Sequence, residues 1–180
     1  DQGHDSGLGN HKSIAPMSNR HQWPLEWKVV LVIPQQSPGL TGSAEQSTFE
    51  NLPPPTRKSM VELSELLRLA FLPALESRSF TLCMDYLESV QRQVGSWFAP
   101  AQKGTLYGTL ERDRLVRQMS EFGLRGVGQS SWGPTLFGFF DESDTHTDLE
   151  KLQSIVSEAQ TPVRIIQTEV NANGHLLKIF

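Results

Sequence analysis

The residues Gly126-Val127-Gly128-Gln129-Ser130-Ser131-Trp132-Gly133-Pro134-Thr135 concentrate the chemistry of this sequence. Closely spaced glycines allow left-handed backbone and close approach of a ligand to the main chain. Successive free N–H groups in such a run can form a concavity that binds an anion. Ser130, Ser131 and Thr135 add hydroxyl donors, Gln129 adds a carboxamide, and Arg125 puts a cation at the near edge. The set suits a phosphate or pyrophosphate. It holds no His, Asp or Glu, so it offers no general base. The run fits neither the P-loop nor the dinucleotide fingerprint. The same glycines would also serve a tight turn whose task is packing alone.

Other reactive side chains are weaker candidates. Cys83 lies on an apolar helical stripe, which makes it core rather than nucleophile. His4, His11 and His21 sit in a polar run without the paired spacing of metal ligands. Glu45 and Glu50 belong to a long loop and read as solvated. Arg112 and Arg114 open a helix, where the dipole disfavours cations; that misplacement hints at an anionic partner.

The elements that must position these residues follow from periodicity. Trp27-Lys28-Val29-Val30-Leu31-Val32-Ile33 is a β-branched apolar run closed by Pro34, and reads as a buried strand. Residues 34–56 are rich in Gly, Pro, Ser and Gln, too long for a plain connection. They form either a lid-like loop, hinged at Gly39-Leu40-Thr41-Gly42, or a loop carrying a short helix around Ala44–Asn51. Ser59 and Glu62 have capping-box spacing for a helix that bends or ends near Pro73. A second helix runs from Ser79 to Phe98, and a third from Arg112 to Phe122 with Gly123 as its left-handed stop. Arg125 to Pro134 reads as a glycine-bearing loop leading into a strand over Leu136–Phe140. Thr147 and Glu150 open a further helix that ends before Pro162. Val163–Val170 reads as a strand, and Asn173-Gly174 as a hairpin turn to a last strand, His175–Phe180. The order predicts an α+β fold with helices packed on one face of a mostly antiparallel sheet.

Composition bounds the function. The chain has 180 residues, 37% hydrophobic and 20% charged, enough for one core. Sixteen Lys and Arg against 20 Asp and Glu give a net charge of −4, which argues against a nucleic-acid partner. A single cysteine excludes a disulfide framework and a cysteine-based zinc site. No apolar run approaches the ~20 residues of a membrane span, so no membrane partner is expected. A cytoplasmic protein is the expectation. Residues 1–22 read as a flexible lead-in and 23–180 as the folded domain of a longer protein.

The Gln-Ser-Ser-Trp-Gly-Pro core of the 126–135 run resembles the signature of the β-ribofuranosylaminobenzene 5′-phosphate synthase family, of the GHMP kinase superfamily. Trp27 to Ala44 and Gly104-Thr105-Leu106-Tyr107 also resemble that family, so the likeness spans Trp23 to Phe180. The resemblance implies a ferredoxin-like carboxy-terminal domain whose glycine loop faces an interdomain cleft. The partner domain, carrying the main nucleotide-phosphate motif, is expected outside this chain; Gly7-Leu8-Gly9 is too short to be that motif. The implied reaction joins phosphoribosyl pyrophosphate to a 4-hydroxybenzoate or 4-aminobenzoate type acid, with loss of carbon dioxide and pyrophosphate, in methanopterin biosynthesis. Gln129, Ser130 and Ser131 become the expected catalytic residues. Arg125, Gly126, Gly128, Trp132, Gly133 and Thr135 become the expected binding residues. No protein metal ligand is identified, although Mg²⁺ is expected with pyrophosphate. ATP enters only under an alternative reading, a small-molecule kinase. Gln129, Ser130, Ser131 and Trp132 stand where such kinases carry mostly Gly and Ala, and would crowd a triphosphate. A non-catalytic binding fragment is the third reading. A small phosphorylated substrate is the expected ligand, and a second copy in a homodimer a further partner.

Overall fold

The computed structural model describes residues 20–35, 42–143, 148–157 and 162–171. Four strands, β1 (Trp27–Pro34), β2 (Arg125–Gln129), β3 (Leu136–Asp141) and β4 (Val163–Thr168), form one sheet in the order β2-β3-β1-β4. Every pair is antiparallel, with Val32 opposite Leu136 and Ile165, and Gln129 opposite Leu136. Among the described residues six α-helices accompany the sheet: α1 (Gly42–Asn51), α2 (Arg57–Leu66), α3 (Leu72–Glu76), α4 (Phe80–Phe98), α5 (Leu110–Phe122) and α6 (Leu149–Ser157). Reduced to α5 and α6, the chain reads β-α-β-β-α-β, the ferredoxin-like arrangement. The lead-in up to residue 19, residues 39–41 of the expected hinge, Thr147, and the expected hairpin and strand at residues 173–180 lie outside the described residues; Gly42, the last hinge residue, opens α1.

The expected antiparallel α+β sheet is borne out, but its helices cover both faces. Strand side chains alternate from face to face. Val30, Val32 and Leu136 therefore meet Leu115 and Met119 of α5 and Leu152 and Val156 of α6. Trp27, Val29 and Phe139 on the opposite face meet Ala74 and Leu75 of α3 and Cys83 and Met84 of α4. Burial on both sides is why β1 is apolar without alternation. Each fully buried Val, Leu or Met side chain contributes roughly 1.5–3 kcal/mol relative to exposure. One-face packing holds for α5 and α6 alone; α2 to α4 are the additional layer.

Local signals explain several boundaries. The cap of α2 is Thr56, whose side chain accepts from the Ser59 N–H at 3.2 Å, not Ser59 itself. Freed from capping, the Ser59 hydroxyl accepts from Trp97 Nε1 at 2.7 Å and ties α2 to α4. Leu67–Phe71 widens into a π-helical turn just before Pro73, whose ring and missing N–H a regular helix would not accommodate. Helix α5 starts at Leu110, two residues earlier than expected, because the Thr109 side chain accepts from the Arg112 N–H. Gly123 closes it in the left-handed region at φ 114°, as expected. Helix α6 is capped by Asp148, which accepts from the Lys151 N–H at 3.0 Å.

The largest difference concerns the glycine run. Residues 125–129 are strand β2 rather than loop, and Gly126 to Gln129 are buried. Only residues 130–135 form the turn into β3. Ser130 N donates to Thr135 O, and Gly133 N donates to Ser130 O, both at 2.9 Å.

Candidate functional site

The first two glycines of the run bring β2 under α4. Gly126 has φ +61°, and a Cβ there would lie 2.7 Å from Met84 Sδ and 3.0 Å from Phe139 Cδ2. Its N–H donates to Glu88 Oε1 at 3.0 Å, across the β2–β3 register shift between Arg125 and Gly128. A Cβ on Gly128 would meet the Gln91 side chain at 2.7 Å. These glycines serve close packing. The expected open row of N–H donors from Gly126 to Ser131 is therefore not formed. Gly126 is held by Glu88 and Ser130 by the turn itself. Arg125 is exposed at the other end of β2, 3.7 Å from the Asp85 carboxylate. At roughly 3.3 Å per residue it stands about 13 Å from Gln129, away from the turn.

The second half of the run is different. Ser130 and Ser131 are exposed, and Ser131 takes φ +50°. Thr135 is half-buried, and its carbonyl closes the turn. Trp132 is buried, packed edge-on against Phe98 at 5.0 Å and Phe49 at 5.3 Å. It anchors the turn and presents no open ring face on which a substrate could stack. Gln129 is buried, and its Nε2 donates to Ser131 O at 2.9 Å.

The turn closes around a residue that the spacing only hinted at. Arg112, on the first turn of α5, is buried, and its Nη1 reaches the carbonyls of Tyr107 and Trp132, each at 3.4 Å. Two glycines with positive φ make its room. A Cβ on Gly108 (φ +84°) or on Gly133 (φ +74°) would come within 2.8 Å of Nη1. The same imagined atoms would sit 3.5 Å from Gln102 Oε1 and 3.4 Å from Gln129 Cδ. Arg112, Gln102 and Gln129 thus converge. Burial pushes the Arg112 pKa down, opposed by the Glu111 charge, yet a guanidinium starts so high that it stays charged.

A cavity of about 180 Å³ lies between α4, the 102–107 segment and the turn, and Gln91, Phe98, Gln102, Tyr107, Gln129 and Ser131 are among its walls. Gln102 and Gln129 are 7% and 8% exposed. Their Oε1 atoms and Asp113 Oδ1 are buried and accept no hydrogen bond, and Trp132 Nε1 is buried and donates none. Leaving such a group unsatisfied costs about 1–3 kcal/mol, so this cluster is held at some expense. Burial raises the Tyr107 pKa, so the phenol is a donor at neutral pH. Burial also raises the Asp113 pKa, against a hydrogen bond from the Tyr107 backbone and the Arg117 charge. The walls hold carboxamides, a hydroxyl and a phenol but no carboxylate or imidazole, so they can bind and orient rather than exchange protons.

The structure brings Gln129 and Ser131 to the cavity and sets Gly133 beside it. Gly126, Gly128 and Trp132 go into packing, and Arg125 goes elsewhere. Gln102 was not singled out from the sequence, and Arg112 was marked only as a cation misplaced at a helix start. Their signal is the pairing of Gly108 and Gly133 with one arginine, which becomes visible only when the two loops meet.

No known family profile matches the chain. It is 26% identical over 156 residues, 87% of its length, to the beta-ribofuranosylphenol 5′-phosphate synthase of Methanothermobacter thermautotrophicus. A match of 156 residues in a chain of 180 necessarily includes residues 25–156, and so the whole run from Gly126 to Thr135. Among solved structures, the homoserine kinase of Cytophaga hutchinsonii superimposes with a TM-score of 0.53 over 85% of the chain, at 12% identity. The chain spans 44% of the length of each of these proteins. It is thus similar, over most of its length, to part of the beta-ribofuranosylphenol 5′-phosphate synthase, and it shares the α+β fold of the matching part of the homoserine kinase.

Proposed function

We propose that this chain is the carboxy-terminal part of a decarboxylating ribosyl-phosphate transferase. Phosphoribosyl pyrophosphate and a 4-hydroxybenzoate type acid would be its substrates. The anomeric C–O bond breaks and pyrophosphate leaves with its electron pair. The ring carbon bonded to the carboxylate attacks the anomeric carbon. The C–carboxylate pair then restores the aromatic ring as carbon dioxide departs. The observation that carries this reading is the 26% identity to a ribofuranosylphenol phosphate synthase across the Gln129 turn. The absence of a base among the cavity walls agrees with it, because loss of carbon dioxide replaces proton removal. The chain's own residues would position the substrate. Gln129 and Ser131 line its place, and Arg112 ties the Tyr107 and Trp132 loops together. Ser130 stands exposed at the mouth of the turn.

The cavity walls do not fit Mg²⁺, since no carboxylate is among them, and no cluster of His, Cys, Asp or Glu among the described residues could hold a metal. No described helix is long and apolar enough to cross a membrane. A role in methanopterin biosynthesis, in the cytoplasm, is part of this proposal and is supported by the likeness to the synthase alone.

The test uses the full-length protein, carboxyl-labelled 4-hydroxybenzoate and phosphoribosyl pyrophosphate. Labelled carbon dioxide and pyrophosphate should appear in equal amounts, with a C-riboside 5-phosphate as the third product. Formation of ADP from ATP with a small alcohol, and no carbon dioxide, would replace this reading with the kinase one.

A further inference from the structure

We infer that the outer side of α2 and of the π-turn that follows it, from Val61 to Leu69, is the docking surface for the domain that precedes this chain in the full-length protein. This rests on the chain being the carboxy-terminal part of a longer protein, and not on the reaction that protein performs. A helix in a folded domain buries its apolar stripe. Eight of the fifteen residues from Arg57 to Phe71 are apolar, yet none is buried. Helix α5, on the other face of the sheet, has five apolar residues in thirteen and buries Leu115 and Met119. What α2 lacks is therefore a cover, not apolar residues. Its inner side is tied to α4 through Ser59, whose carbonyl accepts from Gln93 Nε2 and whose hydroxyl accepts from Trp97 Nε1, each at 2.7 Å. Its outer side leaves Val61 47% and Leu69 71% exposed. These two stand eight residues apart, the spacing of one helical stripe. An uncovered apolar stripe on a folded domain marks an interaction surface.

Two observations name the occupant. The chain spans 44% of the length of each protein it matches, so over half of such a protein lies outside it. The described chain also enters at the corner where the uncovered helices end. His21 pairs with Glu76, the last residue of α3, at 3.1 Å, and Glu26 with Arg78 at 3.6 Å. Helix α3 continues directly from the π-turn, which puts Glu76 seven residues, about 10 Å, beyond Leu69. A groove of about 570 Å³ opens at this corner, with Arg20, Trp23, Leu25, Arg78 and Val170 among its walls. A domain joined ahead of Arg20 is tethered here, within reach of the α2 stripe.

Maleimide labelling of introduced cysteines tests this, since Cys83, the single cysteine of the chain, is buried. Val61→Cys and Leu69→Cys are made both in the 180-residue chain and in the full-length protein. Ser120→Cys, at an exposed position of α5, is the control. Mass spectrometry of the peptides reads the labelling rate at each position. Positions 61 and 69 should label at least tenfold more slowly in the full-length protein, and position 120 within twofold of its rate in the 180-residue chain. Should one of the two α2-side variants fail to fold, the other decides. Equal rates in the two proteins at 61 and 69 overturn the inference, as does a slowing at position 120 as large as theirs. Labelling of the 180-residue chain that slows as its own concentration rises assigns the surface to a second copy, and overturns it too. A native protein with no domain ahead of this chain does the same. None of these rates depends on turnover, so the interface and the reaction stand or fall separately.

Discussion

The run from Gly126 to Thr135 is one sequence motif and two physical regions. Its first half is strand, pressed against α4, where glycines are needed because Met84 and Gln91 occupy the space a Cβ would fill. Its second half is a turn, where Gly133 makes way for a buried guanidinium that converges with the carboxamides of Gln102 and Gln129. A glycine cluster therefore does not report one function. The same residue type closes a packed interface five to seven positions before it opens space for a polar centre.

The strongest way to break this contrast is Gly126→Ala. It combines a left-handed backbone, about 1–2 kcal/mol for a residue with a Cβ, with overpacking against Met84 and Phe139, about 1–3 kcal/mol. Urea denaturation should show a loss of roughly 2–5 kcal/mol. Gly104→Ala is the control, since it shares a positive φ of +81° but has nothing within 4 Å of the added Cβ. It should lose only the backbone share. Equal losses for the two variants would mean that the first half of the run is not a packing device.

Gly133→Ala probes the second half. The added Cβ would crowd Arg112 Nη1 at 2.8 Å and Cζ at 3.1 Å. Its expected loss is about 2 kcal/mol, from backbone strain and displacement of the guanidinium. In an Arg112→Ala background the crowding vanishes, so the same change should cost only the backbone share. The cycle should yield a coupling of about 1 kcal/mol or more. Additive losses would separate Gly133 from Arg112.

The difference between the halves also explains what the sequence disclosed. Strand β1, helix α4 and helix α5 could be read from local patterns, because apolar period and caps act within a few residues. The strand character of Arg125–Gln129 was hidden by glycines that look like loop, because their purpose lies in α4, some forty residues upstream. The second helical layer was hidden for a related reason. A sheet buried on both faces makes β1 uniformly apolar, and that signal is silent about which helices cover which side. Gln129 and Ser131, singled out by residue type and by the family resemblance, line the cavity. Gln102 carried no local mark, since a glutamine in a loop gives no sign of burial, and Arg112 carried only the hint of a cation at a helix start. Trp132 reversed its expected role because Phe49 and Phe98 reach it from two other elements.

The smallest expected effect sharpens the comparison through pH. Asp113 follows Arg112 in α5 and accepts a hydrogen bond from the Tyr107 backbone, so it belongs to the polar half. A carboxylate in the first helical turn gains about 0.3–1 kcal/mol from the dipole. Burial outweighs this and the Arg117 charge, and the folded pKa stands above its ordinary value. The direction of the stability effect follows. Below the unfolded pKa both states hold the proton and the group costs nothing. As pH rises through the folded pKa, the unfolded chain has already released its proton more readily, so stability is lost. Asp113→Asn removes that loss while leaving an oxygen for the Tyr107 N–H. The variant should therefore gain on the unmodified protein as pH rises above the ordinary Asp pKa of about 3.9, by less than either glycine change costs, with the gain constant once the folded carboxyl has ionised. Thermal midpoints across that range measure the gain, and a difference independent of pH would mean that burial at the polar half does not act on this carboxylate.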